Sequence, residues 1–154
     1  MKITILSPGK TKKAYLREAI ADFSSRLSHV VKLDYQEVKV KGGSSKEPDL
    51  GKEGEALLAK VPASAYLVCL DISGRTFSSP SFSAFIQEKE QRSIQNICFL
   101  IGGPIGLADS LVTKADLRLS FSPMTFTHDM ARFLLLEQLY RAYAIKNGTG
   151  YHKF

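Results

Sequence analysis

Hydrophobic positions along the chain follow two alternating patterns. Short, nearly continuous apolar runs are separated by segments whose apolar residues recur every three or four positions. The first pattern is typical of strands and the second of amphipathic helices. Their alternation predicts an α/β fold with a mostly parallel sheet flanked by helices. The predicted strands span 2–6, 30–40, 65–72, 94–101 and 117–121, and the predicted helices span 12–27, 49–60, 82–89, 107–113 and 128–146.

The last predicted helix, 128–146, is apolar on more than one face. Such a helix needs more than one packing partner, so we expect it to contact the sheet and a second surface. The segment 41–48 is rich in Gly, Ser and Lys and is predicted to be a loop. No shift in composition accompanies it. The whole chain, 1–154, is therefore expected to form a single domain.

Composition narrows the class of partner only slightly. The chain has 154 residues and a formal net charge of +6, which favours an anionic partner such as nucleic acid. On charge alone, an ordinary basic protein without such a partner is an equally good interpretation. Cys69 and Cys98 lie inside apolar runs and are predicted to be small buried hydrophobes.

Three kinds of feature are not predicted by the sequence. The spacing of His and Cys does not indicate a metal site. The apolar stretch at 2–6 is too short for a signal peptide, and no run approaches the length of a membrane span. We therefore expect a cytoplasmic protein.

A glycine-rich turn, 102–106, follows the apolar run 94–101. Its spacing is not that of the dinucleotide fingerprint, and Pro104 removes an amide donor that a pyrophosphate would use. The glycines would let a flat ligand approach the backbone closely. A tight turn that needs a positive φ would explain them equally well.

A second polar loop, 120–127, precedes the last helix. Thr127 could simply cap that helix, with the loop's apolar side chains in the core. Alternatively, the loop forms a wall around a ring of the size of adenine. Both loops follow predicted strands, and ligands of open α/β sheets collect at the carboxyl ends of strands. A small cofactor is expected there.

Several polar residues could take part in chemistry. His128 begins the last helix, where a neutral imidazole is favoured over a protonated one. Arg132 and Arg141 lie on the same helix, and exposure to solvent is the default expectation for both. The ending 148–154 combines two glycines with Tyr, His and Phe, which is unusual for a free terminus. It is predicted to be an arm that docks on another surface.

Seven segments, taken in order, carry a resemblance to a known family. They are 1–10, Lys52-Glu-Gly-Glu55, Leu70-Asp-Ile-Ser-Gly74, 101–107, 119–128, Glu137-Gln-Leu-Tyr-Arg-Ala142 and Tyr151-His-Lys153. In these segments the chain resembles the RlmH family. These are SPOUT-class methyltransferases that modify N3 of a pseudouridine in 23S ribosomal RNA of the large subunit.

The resemblance implies a C-terminal trefoil knot, with the knot and the cofactor site within about 65–154. It also implies S-adenosylmethionine (SAM) as cofactor, a homodimer, and ribosomal RNA or the ribosome as partner, with no metal and no membrane. The implied cofactor-binding residues are Leu70, Gly102, Gly103, Phe121, Ser122, Pro123, Met124, Thr125 and Phe126.

For the substrate, the resemblance points to the tail and the last helix. His152 and Tyr151, with Arg132 and His128 nearby, are expected to grip and orient the nucleotide, and Lys153 and Arg141 are expected to contact RNA. The general base is not assigned. Two alternatives remain open: a SPOUT methyltransferase that acts on transfer RNA, and a catalytically silent RNA-binding module.

Overall fold

Strands and helices alternate along the described chain, residues 1–41 and 48–153 of a computed structural model. The predicted order of elements is confirmed, while the loop expected at 41–48 falls largely outside the described residues. The elements are β1 (Lys2–Pro8), α1 (Ala14–Ser28), β2 (Lys32–Val38), α2 (Leu50–Leu58), β3 (Tyr66–Thr76), α3 (Ser79–Gln91), β4 (Asn96–Leu100), α4 (Asp109–Val112), β5 (Leu117–Ser120) and α5 (His128–Lys146).

The five strands form one sheet in the order β2-β1-β4-β3-β5, and every neighbouring pair is parallel. The predicted parallel sheet is therefore confirmed. β3 runs beyond its predicted end at 72, because its pairing with β5 is interrupted after Leu70 and resumes at Arg75. All strands point the same way, so the loops that follow them meet at one edge of the sheet. We call this the carboxyl edge.

Helices cover both faces of the sheet, as connections between parallel strands require. On one face, α1, α3 and α5 pack over a core that includes Ile3, Phe99 and Leu135, each fully buried. On the other face, α2 and α4 cover a smaller core with Leu57 and Leu111. Cys69 and Cys98 belong to the second core and are fully buried, which confirms the prediction for both thiols.

α5 lies between α1 and α3, above the sheet. Thr127 caps it, since its hydroxyl accepts a hydrogen bond from the Met130 amide at 3.3 Å. None of residues 128–145, all of which the structure describes, is fully exposed. The second packing surface expected for α5 is therefore found within the chain, where Phe23 of α1 meets the rings of Phe133 and Tyr140.

Among the residues that the structure describes, no helix has the length and apolar character needed to cross a bilayer. Within the same ranges, no group of three or more His, Cys, Asp or Glu side chains is placed to hold a metal ion.

Candidate cofactor site

A large cleft opens at the carboxyl edge, above the ends of β3, β4 and β5. Its volume is about 1250 Å³, and its walls are the turn after β4 and the loop after β5. Eight of the nine predicted cofactor residues line it, whereas Pro123 is exposed and is not part of the lining. The eight are Leu70, Gly102, Gly103, Phe121, Ser122, Met124, Thr125 and Phe126.

The turn after β4 folds back tightly on itself. The Gly106 amide donates to the Gly103 carbonyl at 3.1 Å, and Gly106 has a φ of +88°. A Cβ on Gly102 would lie 2.3 Å from the carbonyl carbon of Gly106, a distance that no side chain can occupy. The tight turn with a positive φ is thus confirmed at Gly106, and Gly102 lets two stretches of backbone touch. The approach of a ligand to this turn stays a prediction.

Glu53 of α2 supports this turn from behind. A Cβ on Gly103 would point at its carboxylate, 2.9 Å from Oε2. Oε2 is buried and makes no hydrogen bond. Burial, reinforced by the nearby Asp49 carboxylate, raises the pKa of Glu53. Sequence reasoning assigned Glu53 no role, although the segment Lys52-Glu-Gly-Glu55 was one of those that carried the family resemblance.

The loop after β5 is held by short hydrogen bonds and leaves apolar groups exposed. The Ser120 hydroxyl donates to the Ser122 carbonyl at 3.0 Å, and the Ser122 hydroxyl accepts from the Met124 amide at 2.9 Å. Met124 is 74% exposed, and Ile105 of the opposite wall is 55% exposed. Exposed apolar groups on two walls of one cleft suit a flat, largely apolar ring.

His128 lines the cleft from the first turn of α5. Its Nε2 is 3.3 Å from Oδ1 of Asp129, which is itself buried. Burial lowers the pKa of His128, and the Asp129 carboxylate opposes that shift only in part. The imidazole is therefore neutral at pH 7, as its position at the start of a helix predicted.

Arg132 does not line the cleft, and the default expectation of a solvent-exposed side chain is wrong. It is fully buried, and its guanidinium donates to the Pro8 carbonyl at 2.6 Å and to the Thr11 hydroxyl at 2.9 Å. It also lies 3.4 Å from the carboxylates of Glu37 and Asp129. Arg132 thus joins the loop after β1 to the helix turn that carries the cleft histidine.

The tail docks on the flank of its own α5, which confirms the prediction of a docking arm. The ring of Tyr151 packs against those of Tyr140 and Phe23, and its hydroxyl donates to Glu137 at 2.8 Å. Arg141 lies over the Tyr151 ring and pairs with Glu137, so it is not a free solvated cation as expected.

His152 lies beside Arg141, with 3.4 Å between Nδ1 and the guanidinium. Lys153 is exposed. None of Tyr151, His152, Lys153 or Arg141 lines the cleft of the same chain. A single chain therefore does not bring the tail and His128 together.

Comparison with known proteins identifies the family of this chain. A family model described as "Predicted SPOUT methyltransferase" matches residues 1–152. Proteins named ribosomal RNA large subunit methyltransferase H are similar over their whole length. The one from Desulfotalea psychrophila is 48% identical over 153 residues, and the one from Clostridioides difficile is 42% identical over 159; in each case 99% of this chain and 100% of the relative are covered.

Solved structures share the fold at low sequence identity. TrmJ from Z. mobilis gives a TM-score of 0.57 at 15% identity, covering 92% of this chain and 70% of its own. A methyltransferase from Legionella pneumophila, solved with SAM bound, gives 0.51 at 12% identity, covering 92% and 66%. This chain belongs to the SPOUT methyltransferase family. Membership implies the C-terminal knot that the sequence resemblance led us to expect.

Proposed function

We propose that this protein transfers a methyl group from SAM to ribosomal RNA of the large ribosomal subunit, at N3 of a pseudouridine in 23S RNA. The observation that carries the proposal is the full-length similarity, at 48% identity, to a protein named ribosomal RNA large subunit methyltransferase H. The cleft at the carboxyl edge provides the place for the chemistry. A substrate on the ribosome would place the activity in the cytoplasm.

SAM suits the cleft by size and by chemistry. The turn after β4 leaves open space where Gly106 lacks a side chain, which an adenosyl group could approach, and the exposed Met124 and Ile105 offer apolar surface to its ring. The structural neighbour from Legionella pneumophila was solved with this cofactor. When bound, SAM supplies an electrophilic methyl group, so the protein has to align the base and assist loss of the N3 proton. No metal enters this scheme.

His128 is the titratable cleft residue best suited to receive the N3 proton or to orient the base. Its imidazole is neutral at pH 7, and its Nε2 lies 3.3 Å from the Asp129 carboxylate. The other titratable residues in the lining are Asp71, Asp109 and Arg118, and Asp71 is engaged by Arg118 at 2.7 Å. Arg132 acts on this site only through Asp129 and the loop after β1.

The tail would contribute from a second copy of the chain. Tyr151 and His152 lie beside Glu137 and Arg141, about three helical turns along α5 from His128. If they grip the nucleotide, the cleft they serve belongs to the partner of a homodimer. Burial and the hydrogen bond to Glu137 raise the pKa of Tyr151, so its hydroxyl remains a donor at neutral pH.

The outer side of α5 supplies a surface for that homodimer. Met130, Leu134, Gln138 and Arg141 follow one another at helical spacing, and all four are half-buried in the single chain. An apolar groove of about 310 Å³ lies beside Leu134 and Gln138 and shares Phe126 with the cleft. A dimer contact along these four residues of α5 would bring the partner close to the cleft.

Mixing two impaired variants, each assayed at a SAM concentration below the wild-type Kd, tests the proposal. Gly102→Ala disrupts the cofactor turn but keeps the tail, and a chain truncated after Gly150 lacks the tail but keeps the turn. If the tail acts across the dimer, random reassortment should restore about one quarter of wild-type activity, because half of the dimers then hold one complete site out of two. The substrate is large ribosomal subunits that lack the modification, and SAM supplies a labelled methyl group.

Each outcome of this experiment has a clear meaning. Wild-type protein that methylates no ribosomal RNA overturns the proposed activity, and preferential methylation of transfer RNA under the same conditions reassigns the substrate. Activity of the mixture no greater than that of the separate variants, with dimers confirmed by light scattering, places the tail's action within its own chain. Absence of any thermal stabilisation by SAM identifies the protein as a silent RNA-binding module.

A further inference from the structure

The carboxyl edge of the sheet carries a second feature beside the cleft, above β1 and β2. Four exposed lysines lie there: Lys10, Lys12 and Lys13 in the loop between β1 and α1, and Lys39 directly after β2. The Gly9 amide donates to the Val38 carbonyl at 2.9 Å, so Lys10 and Lys39 each directly follow a residue of this hydrogen-bonded pair. We call the four residues the lysine edge.

None of these four ammonium groups lies within 4.0 Å of a carboxylate in residues 1–41 and 48–153. Other lysines of the chain are paired: Lys2 with Asp34 at 2.7 Å, and Lys146 with Glu90 at 2.6 Å. Four unpaired cations at one end of two adjacent strands form a local positive field, which attracts a polyanion.

The loop that carries three of these lysines is held from beneath. The Thr11 hydroxyl is buried and donates to Glu37 at 2.5 Å, while the Lys12 amide donates to Asp129 at 3.1 Å. Arg17 donates to the Lys12 carbonyl at 2.7 Å. The backbone is thereby fixed while the lysine side chains project outward, so little backbone entropy is lost when they bind.

The same contacts tie the lysine edge to the cleft. Asp129 receives the Lys12 amide through one carboxylate oxygen and faces His128 through the other. A ligand held by the lysines therefore lies beside the cleft, at the same edge of the sheet. Tyr15, two residues beyond Lys13, is 65% exposed and offers an aromatic ring within the basic surface.

We propose that the lysine edge binds the phosphate backbone of the substrate RNA beside the reacting nucleotide, and that Tyr15 stacks on an unpaired base. This inference rests on the proposed function, since it assigns the RNA surface of that site. Unpaired cations beside an exposed aromatic ring are the combination that single-stranded RNA requires.

The opposite edge of the sheet supplies a matched control. Three other lysines are also exposed and unpaired within the described residues, but they lie where strands begin: Lys32 is the first residue of β2, Lys60 precedes β3 and Lys114 precedes β5. The test variant is Lys10→Gln/Lys12→Gln/Lys13→Gln in the full-length chain, and the control is Lys32→Gln/Lys60→Gln/Lys114→Gln. Both lose three positive charges, so the net charge of the two proteins is the same.

Equilibrium binding to large ribosomal subunits is measured over 50–200 mM salt without SAM, and methylation is measured in parallel. We expect the test variant to raise Kd and KM for the subunits by about tenfold or more and to reduce the salt slope by about two, since each phosphate contact contributes roughly 0.7–0.9. SAM affinity and kcat at saturating subunits should stay within about twofold of wild type. The control variant should bind like the wild-type protein.

Equal weakening by the test and control variants would overturn the inference, because it would show that only net charge matters. Tyr15 is tested separately: Tyr15→Phe should retain binding, and Tyr15→Ser should weaken it by about fivefold or more. Wild-type binding by Tyr15→Ser removes the stacking role. Binding that depends on the lysine edge in a protein without methylation activity would support this inference and refute the proposed activity, so the two failures are distinguishable.

Discussion

Gly102 and Gly106 touch through their backbones at the wall of the cleft. A Cβ added to Gly102 would lie 2.3 Å from the carbonyl carbon of Gly106 and 2.4 Å from its oxygen. Both of these atoms are backbone, so neither can move aside without opening the turn. The shape of this wall of the cleft therefore depends on the absence of one methyl group.

Alanine substitutions at the two adjacent glycines should have unequal effects. Gly102→Ala forces the turn open, and we expect SAM affinity to fall by about tenfold or more, in line with the 1–3 kcal/mol typical of a side chain forced into a packed site. The Cβ added by Gly103→Ala would meet only the end of the Glu53 side chain, which can rotate away. This substitution should therefore reduce SAM affinity much less than Gly102→Ala does. Calorimetric titration with SAM measures both.

Gly103→Ala is the matched control, since it adds the same methyl group one residue along the chain. The sequence-based view treated both glycines as places where the ligand approaches the backbone. In the structure, a Cβ on Gly103 would instead point at the Glu53 carboxylate of α2. Equal SAM affinities for wild type and a folded Gly102→Ala protein would show that this turn is not the cofactor wall.

Arg132 should be one of the most costly side chains to remove. Arg132→Met keeps most of the volume but leaves Glu37 and the buried Asp129 without their cation, and leaves the Pro8 carbonyl without its donor. Breaking a buried ion pair in this way costs about 3–5 kcal/mol. Urea unfolding followed by circular dichroism measures the loss.

Arg92→Met provides the comparison for that experiment. Arg92 pairs with Glu88 at 3.1 Å at the end of α3, where its side chain is 68% exposed. We expect a change of less than about 0.5 kcal/mol there. A similar small change for Arg132→Met would mean that the buried network contributes nothing beyond its packing.

Both cysteines should be inert in the folded protein. Cys69 and Cys98 are fully buried, and desolvation raises the pKa of each thiol to about 12. The thiolate is the reactive form, so a colorimetric thiol reagent at pH 8 should detect no thiol before unfolding and two afterwards. Reaction of either thiol at the rate of a free cysteine would mean that the smaller core opens readily.

The pattern of the chain was sufficient to predict the order and type of the elements. Central strands such as the one predicted at 94–101 are nearly continuously apolar because helices cover both of their faces, and this produces a strong local signal. The resemblance to the RlmH family supplied what local pattern does not contain, including the knot. Eight of the nine residues it implied for the cofactor lie in one cleft.

Contacts between residues far apart in sequence could not be predicted from pattern. The sequence predicts a solvent-exposed Arg132, whereas the structure buries it beside the Glu37 carboxylate. Glu37 lies on β2, 95 positions away, so the local pattern around Arg132 does not reveal this partner. The extra apolar surface of α5 suggested an outside partner, although α1 and α3 cover two of its sides. Glu53 was overlooked because its significance depends on its contact with a turn 50 positions later.

Glu53 should make stability depend on pH in a direction opposite to that of a paired carboxylate. Its pKa is raised by burial and by Asp49, so the native state favours the protonated form. The penalty for the ionised form is absent below the ordinary pKa of a glutamate, about 4.3, and grows as pH rises through the raised value. The penalty reaches its full size above the raised pKa.

Glu53→Gln removes this penalty while keeping the shape and a neutral side chain. The variant should therefore be more stable than wild type at pH 7, with the difference shrinking toward zero as the pH falls to about 4. Glu55 is exposed on the same helix, so the difference in stability between Glu55→Gln and wild type should not change with pH across this range. Urea midpoints at half-unit steps of pH measure both variants. A Glu53→Gln protein that loses stability at pH 7 would show that the carboxylate forms a favourable contact, as an acceptor for backbone amides of the glycine turn would.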